Sequence, residues 1–186
     1  RGTMASPGGY VYEGDWASGV KEGTARITYP DGAIYEGAVQ RGARHGEGTL
    51  TMPGGLVYAG LWRDGQIDGT GTLSQPNGDV YTGALVSGQR EGVGRMVYGN
   101  GDIYEGDFAA DRRDGQGTFK GTDGYTYTGS WVAGRISGTG TVTYTPALGT
   151  GPAAGTTGSA GTWKVERDFA PYVVEVRAPA YGTFYY

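Results

Sequence analysis

Two short stretches of alternating apolar and polar positions recur along most of the chain. Tyr35, Gly37 and Val39 occupy one side of such a first stretch, and Gly48 and Leu50 occupy one side of the second. Alternation with a period of two over a handful of residues is typical of a half-buried β-strand. Each pair of stretches therefore predicts one β-hairpin.

The segments between the stretches contain residues that favour turns. One kind, such as Pro30-Asp31-Gly32, combines the residues that start and close a tight hairpin. The other kind, such as residues 18–23, predicts a turn of about five residues bounded by glycine. No amphipathic helical pattern interrupts residues 1–145, so we expect consecutive hairpins to pair as one antiparallel meander.

The hairpin pattern repeats with a fixed period. A tyrosine returns every 23 residues without insertion or deletion, at Tyr12, Tyr35, Tyr58, Tyr81, Tyr104 and Tyr127. Glycine stands two and eleven positions after each tyrosine, and an apolar residue stands four positions after it. Because a single hairpin cannot bury its aromatic side and stacked hairpins can, the period predicts an all-β, elongated, single-layer antiparallel hairpin solenoid with one hairpin per 23 residues.

The pattern also predicts how the chain is divided. We expect the repeat array over residues 1–145, with a half-unit at 2–9 and six units that start near residue 10. Residues 146–161 consist largely of Gly, Ala, Thr and Pro, a composition typical of a linker or insertion. Residues 162–186 contain further strand-like stretches, which predict either a cap for the last strand edge or an interaction segment.

Composition removes several classes of chemistry. Cysteine is absent and the only histidine is His45, so thiolate sites, disulfides and a histidine-based catalytic or metal site are not expected. The net charge of −4 argues against a nucleic-acid partner. We predict no catalytic residue, metal site or cofactor, and no transmembrane segment. The lack of cysteine is compatible with the cytoplasm, which we favour, and with an oxidising compartment.

The repeated unit resembles the MORN repeat (membrane occupation and recognition nexus). Tyr12, Gly14 and Trp16 match the first part of its pattern, and Gly69 and Gly71 match the later part. The match extends over roughly residues 2–145. The resemblance implies a non-catalytic antiparallel array that serves as a scaffold. It also implies binding of partner peptides in a groove, association into dimers or contact with lipid as the modes to consider.

An open sheet one layer thick leaves part of its aromatic side uncovered, and an exposed aromatic stripe on a rigid frame is typical of an interface. We therefore predict an aromatic-lined groove that binds a protein partner. The alternative for each ring is packing in the core of the sheet. The candidate groove residues are Tyr35, Tyr58, Trp62, Tyr81, Tyr104, Phe108, Tyr127 and Trp131.

A second candidate surface is formed by basic residues near the longer turns. It is a possible edge for anionic lipid or phosphate, although acidic residues in the same turns favour a solvated edge of mixed charge. Its members are Lys21, Arg44, Arg90, Arg112, Arg113 and Arg135.

Three functional hypotheses follow from these surfaces. The first is a scaffold or adaptor that binds a protein through the groove. The second is a structural element that assembles into dimers or larger oligomers through its C-terminal strands. The third is a peripheral membrane adaptor that uses the basic edge.

Overall fold

The computed structural model describes residues 1–144, 162–166, 176–177 and 183–184. Every regular element in these ranges is a β-strand, which confirms the all-β prediction. The chain divides into two compact units, residues 1–94 and 95–186. The predicted linker at 146–161 lies outside the described residues, as does most of the predicted cap or interaction segment, so that division of the chain stays a prediction.

Unit 1 is a sheet whose strands follow one another in chain order, each antiparallel to the next. The last strand, β9, also contains the boundary between the units. The strands are β1 (Gly2–Ala5), β2 (Val11–Ala17), β3 (Val20–Thr28), β4 (Ile34–Gln40), β5 (Ala43–Thr51), β6 (Val57–Arg63), β7 (Gln66–Ser74), β8 (Val80–Val86) and β9 (Gln89–Val97).

Unit 2 continues the same antiparallel order from β10 to β14 and ends with a separate two-stranded pair. Its strands are β10 (Ile103–Ala109), β11 (Arg112–Lys120), β12 (Tyr125–Val132), β13 (Arg135–Tyr144), β14 (Thr162–Glu166), β15 (Val176–Arg177) and β16 (Thr183–Phe184).

The register within a hairpin explains two of its glycines. Tyr35 lies opposite Leu50, and Gly37 lies opposite Gly48. A Cβ atom on Gly48 would meet the ring and hydroxyl of Tyr35, and one on Gly37 would meet the Cα atom of Gly48. The two glycines therefore leave the space that the tyrosine ring of the same repeat fills.

A β-bulge follows in this hairpin and at the equivalent place in four others. Pairing resumes with Val39 opposite Arg44, so β5 carries more residues than β4 between the two pairs. Gly46 lies in this bulge with a φ of 66°, in the left-handed region that favours glycine. This explains why the repeat keeps a glycine eleven positions after its tyrosine.

The turn between β2 and β3 is shorter than the sequence predicted. Ala17 pairs directly with Val20, so Ser18 and Gly19 alone form the loop, with φ values of 50° and 79°. Two consecutive positive φ values are typical of the type I′ hairpin turn. The predicted turn of about five residues over 18–23 is wrong, because residues 20–23 belong to β3.

Candidate protein-binding face

One side of each sheet holds the repeated tyrosines, and we call it the aromatic face; the other side is the polar face. The tyrosines lie at the bottom of the aromatic face. Tyr35 and Tyr104 have exposed fractions of 0 %. Their hydroxyl groups donate hydrogen bonds to the carbonyl oxygens of Ala38 and Asp107, at 2.7 Å and 3.0 Å. Each buried hydroxyl is thus satisfied within its own repeat.

Burial changes the acidity of these phenols. Because removal from water disfavours the phenolate, the pKa of Tyr35 and that of Tyr104 are both raised to about 12. The pKa values of Tyr58 and Tyr127 are raised as well, with burial as the main cause. The phenols stay neutral at ordinary pH and offer no charge to a ligand.

Tryptophans pack between successive tyrosines. The Trp62 ring meets Tyr35 and Tyr58 edge to face, with ring centroids 5.4 Å from each. Trp131 meets Tyr104 and Tyr127 in the same way, at 5.3 Å and 5.4 Å. Offset and edge-to-face contacts of this kind stabilise aromatic pairs beyond the burial of their area.

All the predicted groove residues are buried, which limits what they contribute directly. Their exposed fractions lie between 0 % and 5 %. They therefore form the floor of the aromatic face, and a partner would reach them only through the side chains above. Their part in binding stays a prediction. The residues concerned are Tyr35, Tyr58, Trp62, Tyr81, Tyr104, Phe108, Tyr127 and Trp131.

The partly exposed apolar side chains of this face come from the second strand of the repeat. Leu50 and Leu73 in unit 1 are intermediate in exposure, as are Phe119 and Val142 in unit 2. They stand fifteen positions after the tyrosine of their repeat. The alternation in the sequence placed Leu50 on the same side as Gly48, and the register places it opposite Tyr35. Leu50 was not among the predicted groove residues.

Cations lie across the aromatic rings as well. In unit 1 the Arg44 guanidinium carbon is 4.2 Å from the Trp62 ring centroid and 5.9 Å from that of Tyr35. The guanidinium donates a hydrogen bond of 2.7 Å to the carbonyl oxygen of Gly65. Stacking and this bond together hold the guanidinium flat against the rings.

The same arrangement occurs independently in unit 2. The Arg113 guanidinium carbon is 4.2 Å from the Trp131 ring centroid and 5.6 Å from that of Tyr104. Arg113 donates a hydrogen bond of 2.9 Å to the carbonyl oxygen of Gly134. Two separate copies of one geometry show that it follows from the repeat.

The structure places the residues of the predicted basic edge in two settings. Four of them stand nine positions after the repeat tyrosine and lie over rings of the aromatic face, namely Lys21, Arg44, Arg90 and Arg113. Arg112 and Arg135 are exposed at the ends of their strands. In unit 1, Lys21 lies opposite Trp16 and Arg44 lies opposite Val39; in unit 2, Arg113 lies opposite Phe108. A role in binding anions stays a prediction for all six.

The polar face is crossed by hydrogen bonds and exposed ion pairs. Arg26 pairs with Glu36 at 2.6 Å, and the Thr72 and Thr82 hydroxyls lie 3.2 Å apart. Exposed pairs contribute little to stability, since water and salt screen them. These contacts keep the polar face hydrated and leave the aromatic face as the stronger candidate for binding.

The part of the chain that the structure describes holds neither a candidate metal site nor a candidate membrane-spanning helix. No three histidine, aspartate or glutamate side chains converge there as metal ligands. No helix within the same ranges has the length and apolar character needed to cross a bilayer.

The family follows from the repeats themselves. The MORN repeat model matches residues 12–34, 35–57, 58–80, 81–103, 104–124 and 127–146, well over half of the chain. This chain belongs to the MORN repeat family. The match confirms the resemblance noted in the sequence, and its periods coincide with the hairpins of the sheet. No curated protein matches this MORN repeat chain.

Several solved structures share a distant likeness with this MORN repeat chain. The SAS-4 (dCPAP) TCP domain of Drosophila melanogaster, in complex with a proline-rich motif of Ana2, is 17 % identical, with 75 % of each chain covered and a TM-score of 0.47. The TCP10 domain of Danio rerio CPAP, in complex with a STIL peptide, is 14 % identical, covers 98 % of this chain and 91 % of its own, and has a TM-score of 0.33. At these scores the likeness does not bear on what this chain binds.

Proposed function

We propose that this MORN repeat chain is a non-catalytic scaffold whose aromatic face binds an extended segment of a partner protein. The observation that carries the proposal is the layering of that face. Buried rings such as Tyr58 and Trp62 form a fixed floor, and partly exposed Leu50 and Leu73 stand above it. A rigid apolar surface binds with little loss of its own conformational entropy.

Two partly exposed neighbours on β5, one on each face of the sheet, allow the proposal to be tested. Leu50 and Thr49 are neighbours on β5 and point to opposite faces of the sheet. Leu50→Asn removes apolar contact area from the aromatic face, and Thr49→Asn makes a matched change on the polar face. Both are partly exposed, so we expect both variants to fold, with thermal unfolding as the check.

The experiment is selection of short peptides from a random display library on the wild-type chain. Selected peptides should bind Leu50→Asn about tenfold more weakly, a loss of about 1.4 kcal/mol, and should bind Thr49→Asn as they bind the wild type. If no peptide binds saturably, or if the two variants lose affinity equally, the aromatic face is not the binding surface.

Self-assembly through the C-terminal strands and membrane attachment remain predictions beside this proposal. The geometry favours the protein partner over the membrane. Arg44 and Arg113 lie against rings, whereas attachment to anionic lipid is expected to need about four to eight cations that project towards the surface.

A further inference from the structure

We infer that the aromatic face of unit 1 selects an acidic segment whose carboxylates are spaced three residues apart. This rests on the proposed function and names the chemistry of its partner. The sites for the carboxylates are Lys21 and Arg44, which hold the same position in successive repeats.

These two cations carry charge without an acidic partner of their own. Within the described ranges, neither Lys21 nor Arg44 forms an ion pair with an aspartate or glutamate. Both are intermediate in exposure. A cation partly withdrawn from water and unpaired is stabilised when a carboxylate arrives, because the attraction is stronger there than in bulk water.

The acidic groups near Lys21 and Arg44 are engaged by other partners. The Glu22 carboxylate accepts a hydrogen bond from the backbone N–H of Arg41 at 3.0 Å. Asp68 pairs with Arg63 at 3.7 Å. Along β2 to β7, the positions that share the tyrosine side hold no aspartate or glutamate. This part of an acidic protein therefore presents a positive, aromatic surface.

Lys21 and Arg44 still have N–H groups that can donate hydrogen bonds to a ligand. Arg44 uses one of its N–H groups on the carbonyl oxygen of Gly65, and a guanidinium carries about five such donors. The Lys21 ammonium lies 4.6 Å from the Tyr10 ring centroid and donates to the Tyr10 hydroxyl at 3.0 Å. Both groups are thus positioned by their neighbours before a ligand binds.

The distance between Lys21 and Arg44 determines the spacing of the carboxylates in the partner. Lys21 on β3 and Arg44 on β5 are two strands apart, which is about 10 Å across a sheet. A peptide in the polyproline II conformation advances about 9.3 Å in three residues and returns to the same side. A β-strand would place such residues on opposite sides. Two carboxylates three residues apart therefore match Lys21 and Arg44 in the first conformation.

The next repeat adds a further condition. Its equivalent position is Ile67, on β7. The segment should therefore carry an apolar residue three positions beyond its second carboxylate. Glu-x-x-Glu-x-x-Leu is the simplest sequence with this pattern, read in either direction along the face.

The experiment uses the full chain and fluorescently labelled peptides of about nine residues, which span roughly 28 Å in this conformation. The probe is Glu-Pro-Ala-Glu-Pro-Ala-Leu-Pro-Ala. One comparison peptide has the same composition with its two glutamates adjacent, and the other replaces glutamate with glutamine. Binding is followed by fluorescence anisotropy at low and high salt, beside sedimentation with phosphatidylserine vesicles.

We expect the probe to bind most tightly and its affinity to fall with salt. Arg44→Gln should weaken it about tenfold or more, and Lys21→Gln should also weaken it. Arg41→Gln, which removes an exposed cation of the same unit that has no aspartate or glutamate partner in the described ranges, should leave its affinity unchanged. Thermal unfolding verifies that each variant is folded, and Arg44→Lys should retain part of the affinity.

Several results would overturn the inference. They are equal binding of all three peptides, no binding of any, or equal losses for Arg44→Gln and Arg41→Gln. Arg44-dependent binding to vesicles without binding of the probe would identify a lipid surface instead. If library-selected peptides still depend on Leu50 while the acidic probe fails, the proposed function stands and the inference alone is wrong.

Discussion

At the scale of single residues, five of the six repeated tyrosines pack against a glycine thirteen positions further along the chain, whereas the first, Tyr12, has Ala25 at that position. The Tyr58 ring lies over Gly71, where a Cβ atom would meet the ring and the hydroxyl oxygen. Tyr58 is 0 % exposed and its hydroxyl donates to the carbonyl oxygen of Leu61 at 2.9 Å. There is therefore no space beside the Tyr58 ring for the methyl group of an alanine at position 71, and the hydrogen bond of the hydroxyl holds the ring in place.

Gly71→Ala should consequently lower the free energy of unfolding by about 1–3 kcal/mol, the usual cost of overpacking. Gly54→Ala is the matched control, since a Cβ atom at Gly54 meets nothing within 4 Å. Urea denaturation measures both. Equal effects at the two positions would show that the tyrosine ring is not the obstacle.

At the scale of the hairpin, one side chain stabilises several of the loops that join one repeat to the next. The Asp31 carboxylate accepts a hydrogen bond from the Ala33 N–H at 3.0 Å, and the Asn77 amide oxygen does the same for Asp79 at 3.1 Å. Such bonds favour the turn before the strands pair. Gly54 stands at the corresponding position in its loop and has no side chain to form one.

Gly54→Asn should therefore raise the free energy of unfolding by about 0.5–1.5 kcal/mol, through the added hydrogen bond and a less flexible unfolded chain. Gly54→Ala supplies the second contribution alone, so the asparagine variant should be the more stable of the two in thermal unfolding. A ranking in which alanine equals or exceeds asparagine would exclude the added hydrogen bond.

The sequence predicted the hairpin and which residues share a side of each strand, such as Tyr35 with Gly37, because period-two alternation and a fixed repeat report directly on strand faces. It left open whether Trp62 lines a groove or packs in the core, since exposure in an open sheet depends on packing between neighbouring repeats. The cation over the ring was missed because the sequence analysis placed this position of the repeat in a longer turn, whereas β5 begins at Ala43 and Arg44 lies opposite Val39. A signal was nevertheless present: Arg44 precedes a repeat that carries Trp62.

At the scale of the whole molecule, buried phenols link stability to alkaline pH. They occur in both units, and the pKa values of Tyr35 and Tyr104 are about 12, against 10 for an unperturbed phenol. The unfolded chain therefore releases these protons at lower pH than the folded chain. The stabilisation is fully present below pH 10 and is lost as the pH rises through about 12.

Thermal unfolding between about pH 8 and about pH 12 should show a falling melting temperature above pH 10, together with the absorbance of tyrosinate as the chain unfolds. Tyr35→Phe should make the decline shallower, although it also removes the hydrogen bond to Ala38. A melting temperature that stays constant through this range would contradict the assigned burial of the phenols.

The arginines stacked on tryptophan make the indole fluorescence of each unit sensitive to binding. Because a guanidinium carbon lies 4.2 Å from the ring centroid of Trp62 in one unit and of Trp131 in the other, any movement of that charge alters the local field at an indole. The chain also contains Trp16 and Trp163, so replacing both of these and one of the stacked tryptophans with phenylalanine leaves a single stacked indole to report. Occupancy could then be followed unit by unit, without attaching a dye to the protein.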